Sequence, residues 1–256
     1  MKTVVKWLLV VFVAFNLSAV GNGEESISIA IGEWPPYTSE SLEHNGVLGR
    51  VITEAFALEG ITVHFSFHPW KRAVRLAKNG EVDGTGPWRR KEKWVDSFIY
   101  SNSIAETDHV FFHLKSYEFS WNTYDDLVGV TLGGGSGYYY NKLLDDALKS
   151  GQLDMYRFAK DVQGLKMLLK ERFNVLAINK HSGYYLLNKD FPGNKNQLIT
   201  HHPKSLTPEE ERPIYLLFSK KIKNSKASLQ RFNKGLKHLK ESGKYNEYFD
   251  DLRIGD

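Results

Sequence analysis

The sequence predicts an α/β protein built from two successive units, and three observations carry that expectation. Short apolar strands alternate with helical periodicities from residue 27 onward. The same alternation restarts near residue 110. The turns between elements are short, so each strand leads directly into a helix and back, the order that generates a parallel layer covered by helices.

In the first unit, Ile27 to Ile31 (ISIAI) reads as a buried strand, ended by Gly32 and the Pro35-Pro36 pair. Leu48, Val51, Ile52, Ala55 and Phe56 recur at helical spacing, and Gly60 closes that helix. Ile61, Val63, Phe65 and Phe67 alternate with polar residues, which predicts a second strand. A further helix begins after Pro69 and ends at Asn79-Gly80.

The second unit opens with strand-like Val110 to Leu114. Val128 to Leu132 reads as another strand, running into the glycine-rich GGGSG at 133–137, with Tyr138 to Leu148 as the helix that follows. Val162, Leu165, Leu168 and Leu169 share one helical face, and Val175 to Ile178 is a buried strand. Pro203 to Arg212 reads as a charged loop and Tyr215 to Phe218 as a late strand. Leu229, Phe232, Leu236 and Leu239 then mark a long amphipathic helix with a Lys-rich solvated face.

The N-terminus carries a different signal. Lys2 and Lys6 precede the apolar run from Trp7 to Phe15, and small residues follow at Ser18, Ala19, Gly21 and Gly23. That order is a secretory leader over residues 1–23. The run is shorter than the roughly 20 apolar residues a membrane anchor needs. The chain has no Cys, which excludes a lipoprotein anchor, disulfides, thiol catalysis and cysteine-based zinc sites. Losing Lys2 and Lys6 with the leader takes the formal charge from +4 to about +2. There is no arginine-rich stripe, so a nucleic-acid partner is not expected.

Several motifs invite chemistry and fail a spacing test. A phosphate-binding loop needs Gly-Lys followed by Ser or Thr, and no Lys follows the glycines before Lys142. The dinucleotide fingerprint needs glycine where Tyr138 stands. Four residues of strand hold His64 and His68 roughly 13 Å apart, too far to share a metal, and the adjacent His201 and His202 would point to opposite faces. No metal or cofactor is therefore expected. Glu33, Asp83 and Glu106 are possible acid/base groups near a cleft, but none has a recognisable partner, and no GxSxG nucleophile motif is present. Binding is expected over catalysis.

In order along the chain stand GEWPPY at 32–37, PWKRA at 69–73, NGEVDGTGPWRR at 79–90, FIYSNSI at 98–104, DDLVGVTLGGGSGYYY at 125–140, ERFNVLAIN at 171–179, YLLFSKK at 215–221 and FNKGLKHLKESGKYNEYF at 232–249. This succession resembles the extracellular solute-binding proteins of family 3, the polar amino-acid binding proteins of ABC importers. The resemblance covers essentially the whole chain after the leader. It implies a two-lobed periplasmic binding protein of type II, each lobe a mostly parallel sheet flanked by helices, with two hinge crossings. Lobe 1 would comprise 24–105 with 215–256, and lobe 2 would comprise 106–214. The implied partners are a small polar solute and an inner-membrane ABC permease or a membrane sensor, with no membrane anchor and a periplasmic location. A dehydratase-like enzyme on the same fold is the further alternative.

Candidate ligand-binding residues follow from the strand ends where such folds hold ligands. Trp34 and Tyr37 sit in the proline-stiffened turn, and Trp70 opens the helix after Pro69. Gly86 allows close backbone approach. Trp88, Arg89 and Arg90 follow, and a guanidinium fork matches a carboxylate. The family shows Thr-x-x-Arg here, whereas this chain has Trp88-Arg89-Arg90-Lys91, with Arg90 the first choice and Arg89 the second. Ser136, Gly137 and Tyr138 are placed to hold an anion at the N-terminus of the expected helix. Asn179 stands where the family has the Asp that accepts from a ligand ammonium, which favours an anionic or weakly cationic solute over a standard amino acid.

Overall fold

The structure is a computed structural model that describes residues 25–191, 193–250 and 252. The leader expected over 1–23 lies outside the described residues. No helix among the described residues is long and apolar enough to cross a membrane.

The first sheet is built from β1 (Glu25–Ile31), β2 (Ile61–Phe67), β3 (Gly84–Arg89), β4 (Phe98–Tyr100), β5 (Ala105–Glu106) and β11 (Pro213–Ser219), in the order β2-β1-β3-β11-β4, with β5 also on β11. Helices α1 (Val47–Ala57), α6 (Ser225–Glu241) and α7 (Lys244–Asp250) cover one face, and α2 (Trp70–Asn79) covers the other. The reason is the expected apolar stripe. Leu48, Val51, Ile52, Ala55 and Phe56 are fully buried against Ile29, Ile31, Phe218 and Phe232. Each large apolar side chain so buried contributes about 1.5–3 kcal/mol.

The second sheet runs β10-β6-β9-β7-β8. Its strands are β6 (His109–Leu114), β7 (Leu132–Gly135), β8 (Met155–Phe158), β9 (Val175–Asn179) and β10 (Ile199–Ser205), with α3 (Lys142–Lys149), α4 (Asp161–Leu168) and α5 (Lys180–Asp190) alongside. Both sheets are mixed rather than mostly parallel. β1 is parallel to β2 and β3, and β7 is parallel to β8 and β9, where helices make the crossovers. Antiparallel pairs enter through β11, β6 and β10, the strands beside the two inter-lobe crossings.

The crossings run through Thr107–Asp108 and through 206–212. Glu106, Pro213 and Ile214, placed in lobe 2 from the sequence, lie in the first sheet, where Glu106 pairs with Pro213 and Ala105 with Ile214.

The glycine-rich segment departs from expectation. Val128–Thr131 is not a strand; Leu132 to Gly135 is. The bare backbone admits large neighbours: a Cβ on Gly133 would lie 2.5 Å from the Phe173 ring, and one on Gly134 would lie 2.3 Å from Met155 Sδ. Three glycines thus build a thin strand that other side chains fill, which hydrophobic periodicity cannot reveal. The next helix starts at Lys142 rather than Tyr138, because Asn141 caps it, its side chain accepting from Leu144 N at 2.8 Å.

Helix α5 and strands β8 and β10 were not legible. α5 has little amphipathic contrast, and β10 contains Pro203, which an edge strand with a register shift accommodates. His201 and His202 do face opposite ways: His201 lies against Tyr184 and Phe112, His202 against Phe119 and Trp121.

Candidate functional site

The lobes touch where the carboxyl ends of their parallel strands face each other. The turn after β1 contributes Tyr37, which is fully buried, with its hydroxyl oxygen 2.8 Å from His181 Nδ1 at the start of α5. Burial pushes the Tyr37 phenol well above its usual range, so the group is a neutral O–H at physiological pH. Beside it, Ser182 Oγ donates to the Pro35 carbonyl at 3.1 Å. Trp34 backs the site, its ring centroid 4.3 Å from that of Tyr37. Lobe 1 therefore presents a turn stiffened by two prolines, and lobe 2 presents the first turn of a helix.

Arg89 forms the second point of contact. Its Nη2 donates to the Thr107 carbonyl at 3.1 Å, and lies 3.3 Å from His109 Nδ1 and 3.4 Å from Thr207 Oγ1. Thr107 and Thr207 lie on the two crossings, and His109 opens β6, so one guanidinium ties strand β3 to both hinge segments. Burial lowers the Arg89 pKa, opposed by the negative charges of Glu211 and Asp108. Burial, then the Arg89 charge, push His109 down to about 3. His109 is thus neutral near pH 7, and its Nδ1 can accept from Arg89. Thr107 Oγ1 is buried without a hydrogen-bond partner at the same hinge.

Arg90, the first choice from the sequence, is corrected by the structure. Its side chain is 59% exposed and pairs with Glu92 at 3.4 Å. Strand alternation sends Arg89 inward and Arg90 out. Asn179 is buried, but its groups are engaged: Oδ1 caps α5 by accepting from Ser182 N at 3.0 Å, and Nδ2 donates to the Asp108 carbonyl at 2.8 Å. Its place in the site is thus to fix the helix turn that carries His181 and Ser182.

Trp70, Trp88 and Trp94 form a chain of edge-to-face contacts, with centroids 4.9 and 5.1 Å apart. Trp70 also covers Gly32, where a Cβ would lie 2.4 Å from the indole, so the small residue is required. Trp88 Nε1 donates to Thr85 Oγ1 at 3.1 Å. Gly86 packs tightly against Leu216 on β11. Trp88 and Trp94 pack against the cluster of Ala77, Phe98 and Leu217 in lobe 1.

Ser136, Gly137 and Tyr138 are exposed and do not lie at a helix N-terminus, since α3 begins at Lys142 and Asn141 occupies its cap. The helix N-terminus expected to hold an anion is therefore not formed by these residues. Tyr138 instead folds over Gly135 and its hydroxyl reaches Asp161 Oδ2 at 3.4 Å.

Of the acid/base groups, Asp83 is a brace at the opposite end of the sheet, accepting from Ser28 N at 2.8 Å and Ser28 Oγ at 2.5 Å. Glu33 is exposed and accepts from Glu40 N at 2.9 Å. Glu106 is exposed on β5. Among the described residues no group of three or more metal-ligating side chains comes together. Sequence reasoning missed His181, Ser182, His109 and Thr207. Tyr37, Arg89 and Asn179, all singled out from the sequence, point toward that cluster.

No family model matches the chain, and no curated protein matches it in sequence. Solved structures do resemble it in fold. One is an ancestral arginine-binding protein bound to arginine, with TM-score 0.69 and 16% identity, over 89% of this chain and 98% of that one. Substrate-binding domain 2 of Lactococcus lactis GlnP, in an open conformation, gives 0.67 and 17% over 91% and 97%. A histidine kinase sensor domain with similarity to periplasmic binding proteins gives 0.69 and 16% over 90% and 97%. The chain has the two-lobed, type II periplasmic binding protein fold.

Proposed function

We propose that this chain is a divergent family 3 solute-binding protein that captures a small polar solute between its lobes and delivers it to an ABC-type importer. The observation that carries this reading is the convergence of polar side chains from both lobes on one contact zone: Tyr37 and Arg89 from lobe 1, His181, Ser182 and His109 from lobe 2. A solute bridging such groups stabilises the closed arrangement by its differential affinity for it, which is how hinge closure becomes a binding signal. The Arg89 fork suits a carboxylate. The neutral Asn179, already committed to Asp108 and Ser182, supplies no charge for an ammonium, so an anionic or weakly cationic solute fits better than a standard amino acid.

Export to the periplasm accompanies this reading, with the leader removed within residues 19–23. N-terminal sequencing of the protein recovered from its native host tests that step. A melting-temperature screen over amino acids, opines, small carboxylates and amines tests the binding step, because a ligand at 100 times its Kd stabilises by about 2.7 kcal/mol. A rise for one chemical class supports capture. No rise for any of them, together with turnover of some solute that Glu33→Gln abolishes, favours the enzyme alternative.

A second reading is a ligand sensor for a membrane receptor, favoured by the likeness to a histidine kinase sensor domain. Co-purification from membranes with a permease or with a kinase separates the two.

A further inference from the structure

Lobe 1 holds a cavity of about 400 Å³ outside the contact zone between the lobes, within the size range of small-molecule sites. Glu40, His44 and Asn45 of the turn before α1 form its rim, and Arg50 and Glu54 of α1 form one wall. Val63, Phe65 and Phe67 of β2, the edge strand of the sheet, supply an apolar surface. None of its lining residues takes part in the hydrogen bonds that cross between the lobes.

Two features ask for a ligand. Arg50 Nε is buried without a hydrogen-bond partner, while its guanidinium carbon sits over Tyr248 of α7, 3.9 Å from the ring centroid. Stacking fixes the group and covers Nε, while no hydrogen bond or ion pair among the described residues engages the rest of this half-buried guanidinium, which is left to meet an anion in the cavity. Glu54 stands four residues on and lines the same cavity. In addition, His44 and Asn45 both hold positive φ, 53° and 60°, a conformation that costs non-glycine residues energy and often marks a functional turn.

A cation and a carboxylate one helical turn apart, neither with an ion pair among the described residues, beside aromatic surface, match a small zwitterion with an apolar body. We propose that this cavity is a second binding site, distinct from the cleft, for an apolar amino acid. Its carboxylate meets Arg50, its ammonium meets Glu54 with Glu40 nearby, and its side chain rests on Val63, Phe65 and Phe67. The site does not depend on the importer reading of the cleft.

Titrating the 15N-labelled full chain with L-phenylalanine, 3-phenylpropanoate and phenethylamine separates the charge requirements. Saturable amide shifts confined to 40–54 and 63–67 are expected with L-phenylalanine, and binding at least about tenfold weaker with either half-charged probe. R50Q and E54Q should each remove those shifts while amides at 179–182 stay unmoved. Since R50Q also removes the stack on Tyr248, E54Q, which disturbs no hydrogen bond of the fold, is the decisive variant. Absence of saturable shifts in these segments, equal binding of all three probes, or unchanged affinity in E54Q overturns the proposal.

Discussion

The Tyr37 hydroxyl and His181 Nδ1 meet at 2.8 Å across the two lobes, although 144 residues separate them in sequence. A protonated phenol can donate to an unprotonated imidazole nitrogen, so this one contact links the first turn of lobe 1 to the first turn of α5.

Tyr37→Phe removes that link and keeps the ring. A hydrogen bond of this kind contributes about 0.5–1.5 kcal/mol net, so the ratio of closed to open molecules without ligand should fall roughly two- to tenfold. Small-angle scattering of the ligand-free variant should give a larger radius of gyration than the wild type. Superimposable curves would sink the idea that this bond holds the lobes together.

Arg89 and Arg90 are adjacent and should behave differently. Arg89→Ala should weaken the solute found by the melting screen by roughly ten- to a hundredfold, the range for hydrogen bonds to a charged group. Arg89→Lys should recover little, because an ammonium lacks the planar fork. Arg90→Ala should leave affinity within about twofold, since its exposed pair with Glu92 contributes little. Titration calorimetry on the three variants decides.

His109 should make the stability of the fold sensitive to acid. Its folded-state pKa of about 3 lies below the ordinary 6.5, so the unfolded chain takes up the proton first as pH falls. The stabilisation is full above about pH 6.5 and is lost progressively on the way down to about pH 3. His109→Gln should flatten the dependence of denaturation midpoint on pH within that window. A slope identical to the wild type's would show that His109 does not titrate with unfolding.

Gly134→Ala tests the thin strand. The added methyl would sit 2.3 Å from Met155 Sδ and 2.8 Å from the Tyr140 hydroxyl, which donates to Ala177 O at 3.1 Å. Overpacking of this kind costs about 1–3 kcal/mol. A melting temperature lowered by several degrees is expected in calorimetry, and no change would mean that the strand relaxes freely.

Local chemistry alone determined much of the architecture. The apolar stripes of α1 and α6 and the strand before Gly32 are set by side-chain periodicity, which acts within a few residues. The order of strands and helices follows from them, and so does the two-unit α/β plan. Tyr37 and Asn179 could be singled out because a Pro-Pro turn and the end of a buried strand are visible in sequence.

What tertiary structure alone decided is which neighbour faces inward and what it meets. Arg89 points to the hinge because β3 pairs with β11 through a register shift between Tyr215 and Leu217, and one residue of register exchanges the two faces of a strand. The glycines at 133–135 became a strand only because Phe173, Met155 and Tyr140 arrive to fill their missing side chains. His181 and Ser182 acquire a role only when the second lobe reaches Tyr37 and Pro35. Periodicity is a property of neighbours in the chain, whereas the site is made by residues that only folding brings within hydrogen-bonding distance.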